Sequence, residues 1–200
     1  MLGKEQHEAA LLVSILSYVG LRPGEALHLR WSDVDGDKLH VRGSVADGQE
    51  KETKTGVERI ARLVGPVRQD LLQEQMRRGR PPGDWLMFPN FEGKVWTDGD
   101  YRNFRARAWR QAVEATGLPK ETRIYDARHT CASLWIAAGR NVLQLARQMG
   151  HSPTMLLGTY GHLIDAYEDS GPIDLEAEIT KARMKHGLLG DRQSSSERGA

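Results

Sequence analysis

Two hundred residues suit one domain of ordinary size with a core of its own, and a formal net charge of +1 leaves bulk charge silent about nucleic acid. A single cysteine, Cys131, excludes an intramolecular disulfide and a cysteine-rich zinc site; beside Ala132 and Leu134 it reads as a small core residue. No apolar run of about eighteen residues exists, and residues 11–19 are broken by Ser14 and Ser17 behind Glu5 and Glu8, so neither membrane span nor signal peptide is expected, and a reducing cytoplasm is.

The distribution of charge says more than its sum. Residues 101–150 carry nine Arg or Lys against three acids, whereas residues 161–180 carry six acids and no Lys or Arg. A cationic face can hide inside such a neutral total, although a run of charge also reads as a solvated helix face.

In chain order, Leu11, Leu12, Ile15, Leu16 and Val19 share one face of a helix over 5–19, and Gly20 stops it. Pro23 opens a short helix that carries Ala26, Leu27 and Leu29 towards Trp31, with Glu25 at its positive end. Turns at Asp35-Gly36-Asp37, Asp47-Gly48 and Thr55-Gly56, with alternation around Leu39–Val41 and over 57–64, predict one antiparallel sheet of about three strands across 37–64. Lys54 falls at the mouth of the last turn.

Pro66 opens a helix to Met76, broken by residues 79–83, and Trp85–Pro89 is a short apolar segment. Thr97 caps a helix to Thr116 that turns Tyr101, Phe104, Ala108 and Val113 inward and its arginines outward. Asp126 is expected to cap a helix that buries Cys131, Leu134 and Trp135 and ends at Gly139. Asn141 caps the next, which ends at Gly150, and Ser152-Pro153 starts the helix of Tyr160. Leu175, Ile179 and Ala182 are spaced as a weak amphipathic helix, and Ser-rich residues 193–200 read as disordered. The whole is mainly α with a small antiparallel β-sheet, an α+β domain over 1–165 followed by an extension over 166–200.

Some of these residues carry chemistry. Arg128, in Tyr125-Asp126-Ala127-Arg128-His129, can hold a phosphate through a bidentate fork, and Arg22 at a helix start offers a second clamp that Glu25 could orient. His151 can move a proton near neutral pH. Tyr160, nine places later, is a phenol, weak as a nucleophile until activated. Lys54 is an ammonium on a hairpin. Cutting a phosphodiester without a metal needs cations around the phosphorane oxygens and an acid for the leaving 5′ oxygen. Singly, each residue also reads as an ordinary surface or core side chain.

Order and spacing join them. Gly20-Leu21-Arg22-Pro23-Gly24-Glu25, the hairpin Lys54, Tyr125-Asp126-Ala127-Arg128-His129, Gly150-His151 and Tyr160 resemble the catalytic domain of the tyrosine recombinases, the phage integrase family, over roughly residues 5–165. The resemblance implies that fold, and a site-specific recombinase that works through a 3′-phosphotyrosine link. It implies Arg22 and Arg128 on the scissile phosphate, Lys54 as general acid, His151 on the phosphate or in proton transfer, and Tyr160 as nucleophile. Tyr125 stands where the family often has histidine; it is an auxiliary phosphate ligand and a rival nucleophile. His129 is expected to be buried and to brace Arg128.

The implied partners are double-stranded DNA and, on it, further copies of the chain in a tetrameric synapse, with a free monomer. No cofactor, metal or membrane is implied. The N-terminal core-binding domain usual in the family is expected to be absent, and residues near Leu175 and Ile179 are expected to pack on a neighbouring subunit. A relaxing enzyme of type IB topoisomerase kind and a DNA-binding protein that has lost catalysis remain alternatives. The seven histidines show no metal-ligand spacing, and no glycine-rich phosphate loop is present.

Overall fold

The computed structural model describes residues 4–52, 58–167 and 171–185. Lys54, the turn at Thr55-Gly56 and the Ser-rich end all lie outside the described residues.

Helix α1 (Lys4–Ser14) widens into a π-type turn (Ile15–Val19) that ends at Gly20, whose φ of +75° is open to glycine at little cost. Leu11, Leu12, Ile15, Leu16 and Val19 are buried, as their spacing predicts. Helix α2 (Pro23–His28) is shorter than expected: Leu29 is its C-cap, and Trp31 begins a separate 3-10 turn (Trp31–Asp33).

The strands depart from the expected single sheet. A three-stranded sheet has the order β1 (Val34–Asp35), β2 (Lys38–Val41), β5 (Arg59–Arg62), all antiparallel, with Leu39 opposite Ala61 and Val41 opposite Arg59. Between β2 and β5, strands β3 (Gly43–Ala46) and β4 (Gln49–Glu52) pair with each other as a separate two-stranded sheet among the described residues. The cause lies in α2. A Cβ on Gly24 would stand 2.4 Å from the Val45 carbonyl oxygen, and one on Gly43 would stand 2.8 Å from the His28 ring. The hairpin backbone therefore lies directly against α2 instead of extending the sheet, and glycine is what permits the approach.

Helix α3 (Gly65–Arg77) follows, and then Trp85–Met87 runs beside the end of α2, with Met87 N–H donating to Leu29 O at 2.8 Å and Trp31 N–H to Trp85 O at 3.1 Å. Helices α4 (Asp98–Phe104) and α5 (Arg110–Thr116), joined by a second π-type turn (Arg105–Trp109), make the expected rod from Thr97 to Gly117. Thr97 Oγ1 accepts from Asp100 N–H at 3.2 Å, and Arg102, Arg105, Arg107 and Arg110 are exposed.

Helix α6 (Ile124–Ala137) starts before Asp126. Its N-cap is Arg123, and the Asp126 carboxylate reaches back to the Arg123 N–H at 2.8 Å, so the acid serves as third residue of the helix and not as its cap. Cys131 and Trp135 are buried, whereas Leu134 is only half-buried. Helices α7 (Val142–Met149) and α8 (Pro153–Tyr167) close a second apolar cluster around Cys131, Trp135, Leu145, Met149, Leu156 and Tyr160. The larger cluster joins α1, α2, the three-stranded sheet and α3. The candidate site lies on the seam between the two.

Helix α9 (Leu175–Lys185) returns to the chain's own body, and this corrects the expectation that its apolar side seats on a neighbour. Ile179 is buried in the larger cluster, and Leu175 packs against both. Arg183 grips Asp70 of α3 through two hydrogen bonds, at 3.0 and 2.7 Å, and stacks over Tyr18. Glu176 accepts from the Gly65 N–H at 2.9 Å, at the start of α3. No described helix is long and apolar enough to cross a membrane.

Candidate active site

Arg22 stands at the entry to α2, where the chain leaves the left-handed Gly20. Glu25, in the first turn, accepts from the Arg22 backbone N–H at 2.7 Å and from its Nη1 at 2.9 Å, so the acid orients the arginine. The same carboxylate is held from the other side by Arg59 of β5, whose Nη1 and Nη2 reach its two oxygens at 2.9 and 2.8 Å. Arg128 Nη1 lies 4.0 Å from it. Three guanidinium groups thus surround one carboxylate. Burial pushes the Glu25 carboxyl up, but the hydrogen bonds and charges of Arg59 and Arg22 outweigh it and hold the group below the usual range. It is ionised at neutral pH, and the array keeps two surplus positive charges.

Arg128 is completely covered, at 0 % exposure. Its Nη1 donates to Gly20 O, and its Nη2 donates to Met149 O at 2.5 Å and faces His151 Nε2 at 2.8 Å. Its Nε is buried and has no partner among the described residues. Burial and repulsion from Arg22 draw its pKa down while Glu25 raises it, but a guanidinium stays charged in any protein setting.

That geometry fixes the state of His151. An arginine can only donate, so His151 Nε2 must accept and the ring proton sits on Nδ1, which is buried and has no partner among the described residues. Burial, then the charges of Arg128, Arg22 and Arg59, lower its pKa to about 4, so the imidazole is neutral near pH 7.

The turn before His151 is placed with equal care. Gly150 ends α7 with φ +65°, and its carbonyl accepts from Arg22 Nη2 at 3.1 Å. A Cβ there would meet Arg59 Nε at 2.8 Å. Buried Gln148 donates through Nε2 to Val19 O at 2.9 Å and Arg62 O at 3.1 Å, and accepts from Arg62 N–H at 2.8 Å. One amide therefore ties α7 to both β5 and the end of the first helix.

Tyr160 projects from α8 and is 3 % exposed. Its hydroxyl lies 2.8 Å from Nδ1 of His129, one residue past Arg128 on α6. Burial raises the phenol pKa, and the Arg128 charge offsets part of that. His129 is thus only half-buried, and its ring nitrogen engages the phenol of Tyr160, where a brace for Arg128 is expected from the sequence. Tyr125, 40 % exposed, stands edge-on to the other side of His129 with ring centroids 5.4 Å apart. The structure therefore brings Arg22, Glu25, Arg128 and His151 into one cationic cluster and Tyr160, His129 and Tyr125 into a file of rings beside it.

Sequence reasoning passes over Arg59 and Gln148. A signal exists for Arg59: it has the parity of Ala61 and Leu63, both buried, so it belongs to the inward face of its strand. An arginine on an inward face calls for an acid, and Glu25 is that acid.

A small antiparallel sheet set among helices, with arginines from α2 and α6 meeting the glycine turn before α8, is the catalytic-domain fold of the tyrosine recombinases. The model of the phage integrase family matches residues 3–166, and the chain belongs to that family.

Prophage integrase IntR of Escherichia coli K12 is 27% identical over 205 residues, which is 90% of this chain and 49% of IntR. IntQ of the same organism, which its name describes as defective, is 27% identical over 180 residues, 77% of this chain and 45% of IntQ. The chain thus spans about half the length of these relatives. Among solved structures, the Tn1549 transposon integrase in complex with circular intermediate DNA superposes with a TM-score of 0.63 at 24% identity, over 90% of this chain and 60% of that one. XerH site-specific recombinase bound to difH substrate gives 0.61 at 20% identity, over 92% and 48%.

Proposed function

We propose that this chain is the catalytic part of a site-specific DNA recombinase, which cuts and rejoins strands through a covalent 3′-phosphotyrosine. The observation that carries this reading is the meeting of Arg22, Arg128 and His151 around the Glu25 carboxylate, with the Tyr160 hydroxyl on the adjoining helix. A buried array with surplus positive charge suits an anion whose charge grows during reaction.

In this reading Arg22 holds the scissile phosphate, joined by Arg128 once the site opens to uncover its guanidinium, and Glu25 and Arg59 fix the guanidinium of Arg22. Neutral His151 offers its Nδ1–H as a donor. Tyr160 attacks phosphorus, and Lys54 protonates the leaving 5′ oxygen. Tyr125 is an auxiliary donor on the exposed side. The partners are double-stranded DNA and, on it, three further copies of the chain. The DNA named in the Tn1549 and XerH complexes supports a duplex as substrate.

The test is a pool of nicked suicide duplexes of randomised sequence, followed by a denaturing gel. A protein–DNA band is expected that Tyr160→Phe abolishes and Tyr125→Phe keeps. A band that survives Tyr160→Phe, or no band from any duplex, would overturn the reading.

A further inference from the structure

Tyr160 is the proposed nucleophile, and a phenol must shed its proton to become one. Its free pKa is near 10, and burial raises it further here. Some group must therefore take that proton as the bond to phosphorus forms. His151 is poorly placed to do so, because its Nε2 lone pair already receives Arg128 Nη2 at 2.8 Å. Its other nitrogen carries the ring proton.

The neighbouring imidazole is well placed. His129 Nδ1 lies 2.8 Å from Tyr160 Oη, within the reach a general base needs. The ring is pinned between two phenols, Tyr125 edge-on at 5.4 Å and Tyr160 tilted at 5.6 Å, so its orientation is fixed. Asp126 lies one helical turn back on α6 and feels the charge of His129. Asp126 is itself held by Arg123 at 2.9 Å.

Resting on the recombinase reading, we propose that His129 is a catalytic residue: the general base that accepts the phenolic proton of Tyr160. The Tyr160 Oη–phosphorus bond forms as the phosphorus–O5′ bond breaks. The phenolic proton passes to His129 Nδ1, and the leaving 5′ oxygen takes its proton from a separate acid, Lys54. On rejoining, an incoming 5′ hydroxyl gives its proton to Lys54 as its oxygen bonds to phosphorus, the Tyr160 Oη–phosphorus bond breaks, and the imidazolium returns its proton to Tyr160. The proton balance closes without a cofactor. The titratable groups that face the ring are Tyr125 and Asp126 on α6 and Tyr160 on α8.

Single-turnover cleavage of the nicked duplex tests this with His129→Gln and His129→Ala, each first checked for a native melting transition. Gln keeps a hydrogen bond but not a base. Both variants are expected to cleave about a hundredfold more slowly at neutral pH. Their rates should then climb with hydroxide concentration, and free imidazole should restore part of the His129→Ala rate.

A 5′-bridging phosphorothiolate, whose sulfur leaves without a proton, should not rescue either variant. Cleavage by both variants within threefold of the unsubstituted protein would overturn the proposal, as would full rescue by the sulfur substrate, which would make His129 an acid. If the unsubstituted protein forms no Tyr160-dependent band, the recombinase reading fails and not the role of His129 alone.

Discussion

Removing the Arg59 guanidinium would strand half of a buried carboxylate. The pair is largely shielded from water, with side-chain exposures of 17% and 10%, so solvent screens it weakly. Arg59→Met should lower the unfolding free energy by about 3 kcal/mol in a urea titration. Adding Glu25→Gln should deepen the loss, because Arg22 and buried Arg128 then lose the carboxylate that both still face. A loss below about 0.5 kcal/mol would mean that water already serves Glu25.

His151 gives a prediction in pH. Its folded pKa of about 4 lies below the ordinary 6.5, so the folded state binds fewer protons between those values. Its contribution to stability is complete above about pH 6.5 and is lost as pH falls towards 4. Thermal melts across that window should fall less steeply for His151→Gln than for the unsubstituted protein. At this scale the sequence is legible where order and spacing carry meaning, as for Arg22, Arg128, His151 and Tyr160. The partner of His129 is not legible, because Tyr160 reaches it from a helix distant in sequence and only packing decides which rings meet.

Among the elements, the turn from α7 to α8 is the one that tolerates least. Gly150→Ala forces a left-handed φ on alanine, at about 1–2 kcal/mol, and drives a methyl into Arg59. The shift would also move the carbonyl that holds Arg22. Covalent-complex formation should fall at least tenfold in single-turnover assays while circular dichroism keeps its helical signal. Helices are legible from 3.6-residue spacing and from Gly20, Gly117 and Gly150 as stops, since each is a local rule. The α6 boundary is not, because an acid in the first turn can cap or can answer a cap, and the two differ by three residues. The hairpin's separation from the sheet has no local signal: it follows from how closely α2 approaches Gly43 and Val45.

Across the whole molecule, α9 acts as a strap over α1 and α3. Ile179→Ala should cost about 2–4 kcal/mol by chemical denaturation, as for a buried aliphatic side chain in a packed core. Its spacing is visible in the sequence, but whether such a stripe seats at home or on a neighbour is a question of which acceptor surface is nearer, and the sequence does not state distances.

The clustered guanidinium groups have a last consequence. Arg22, Arg59 and Arg128 against Glu25 leave a valence of plus two, with His151 uncharged. On the recombinase reading, a bound phosphodiester would bring minus one and the five-coordinate species minus two, so the three arginines with Glu25 would be matched only by the latter.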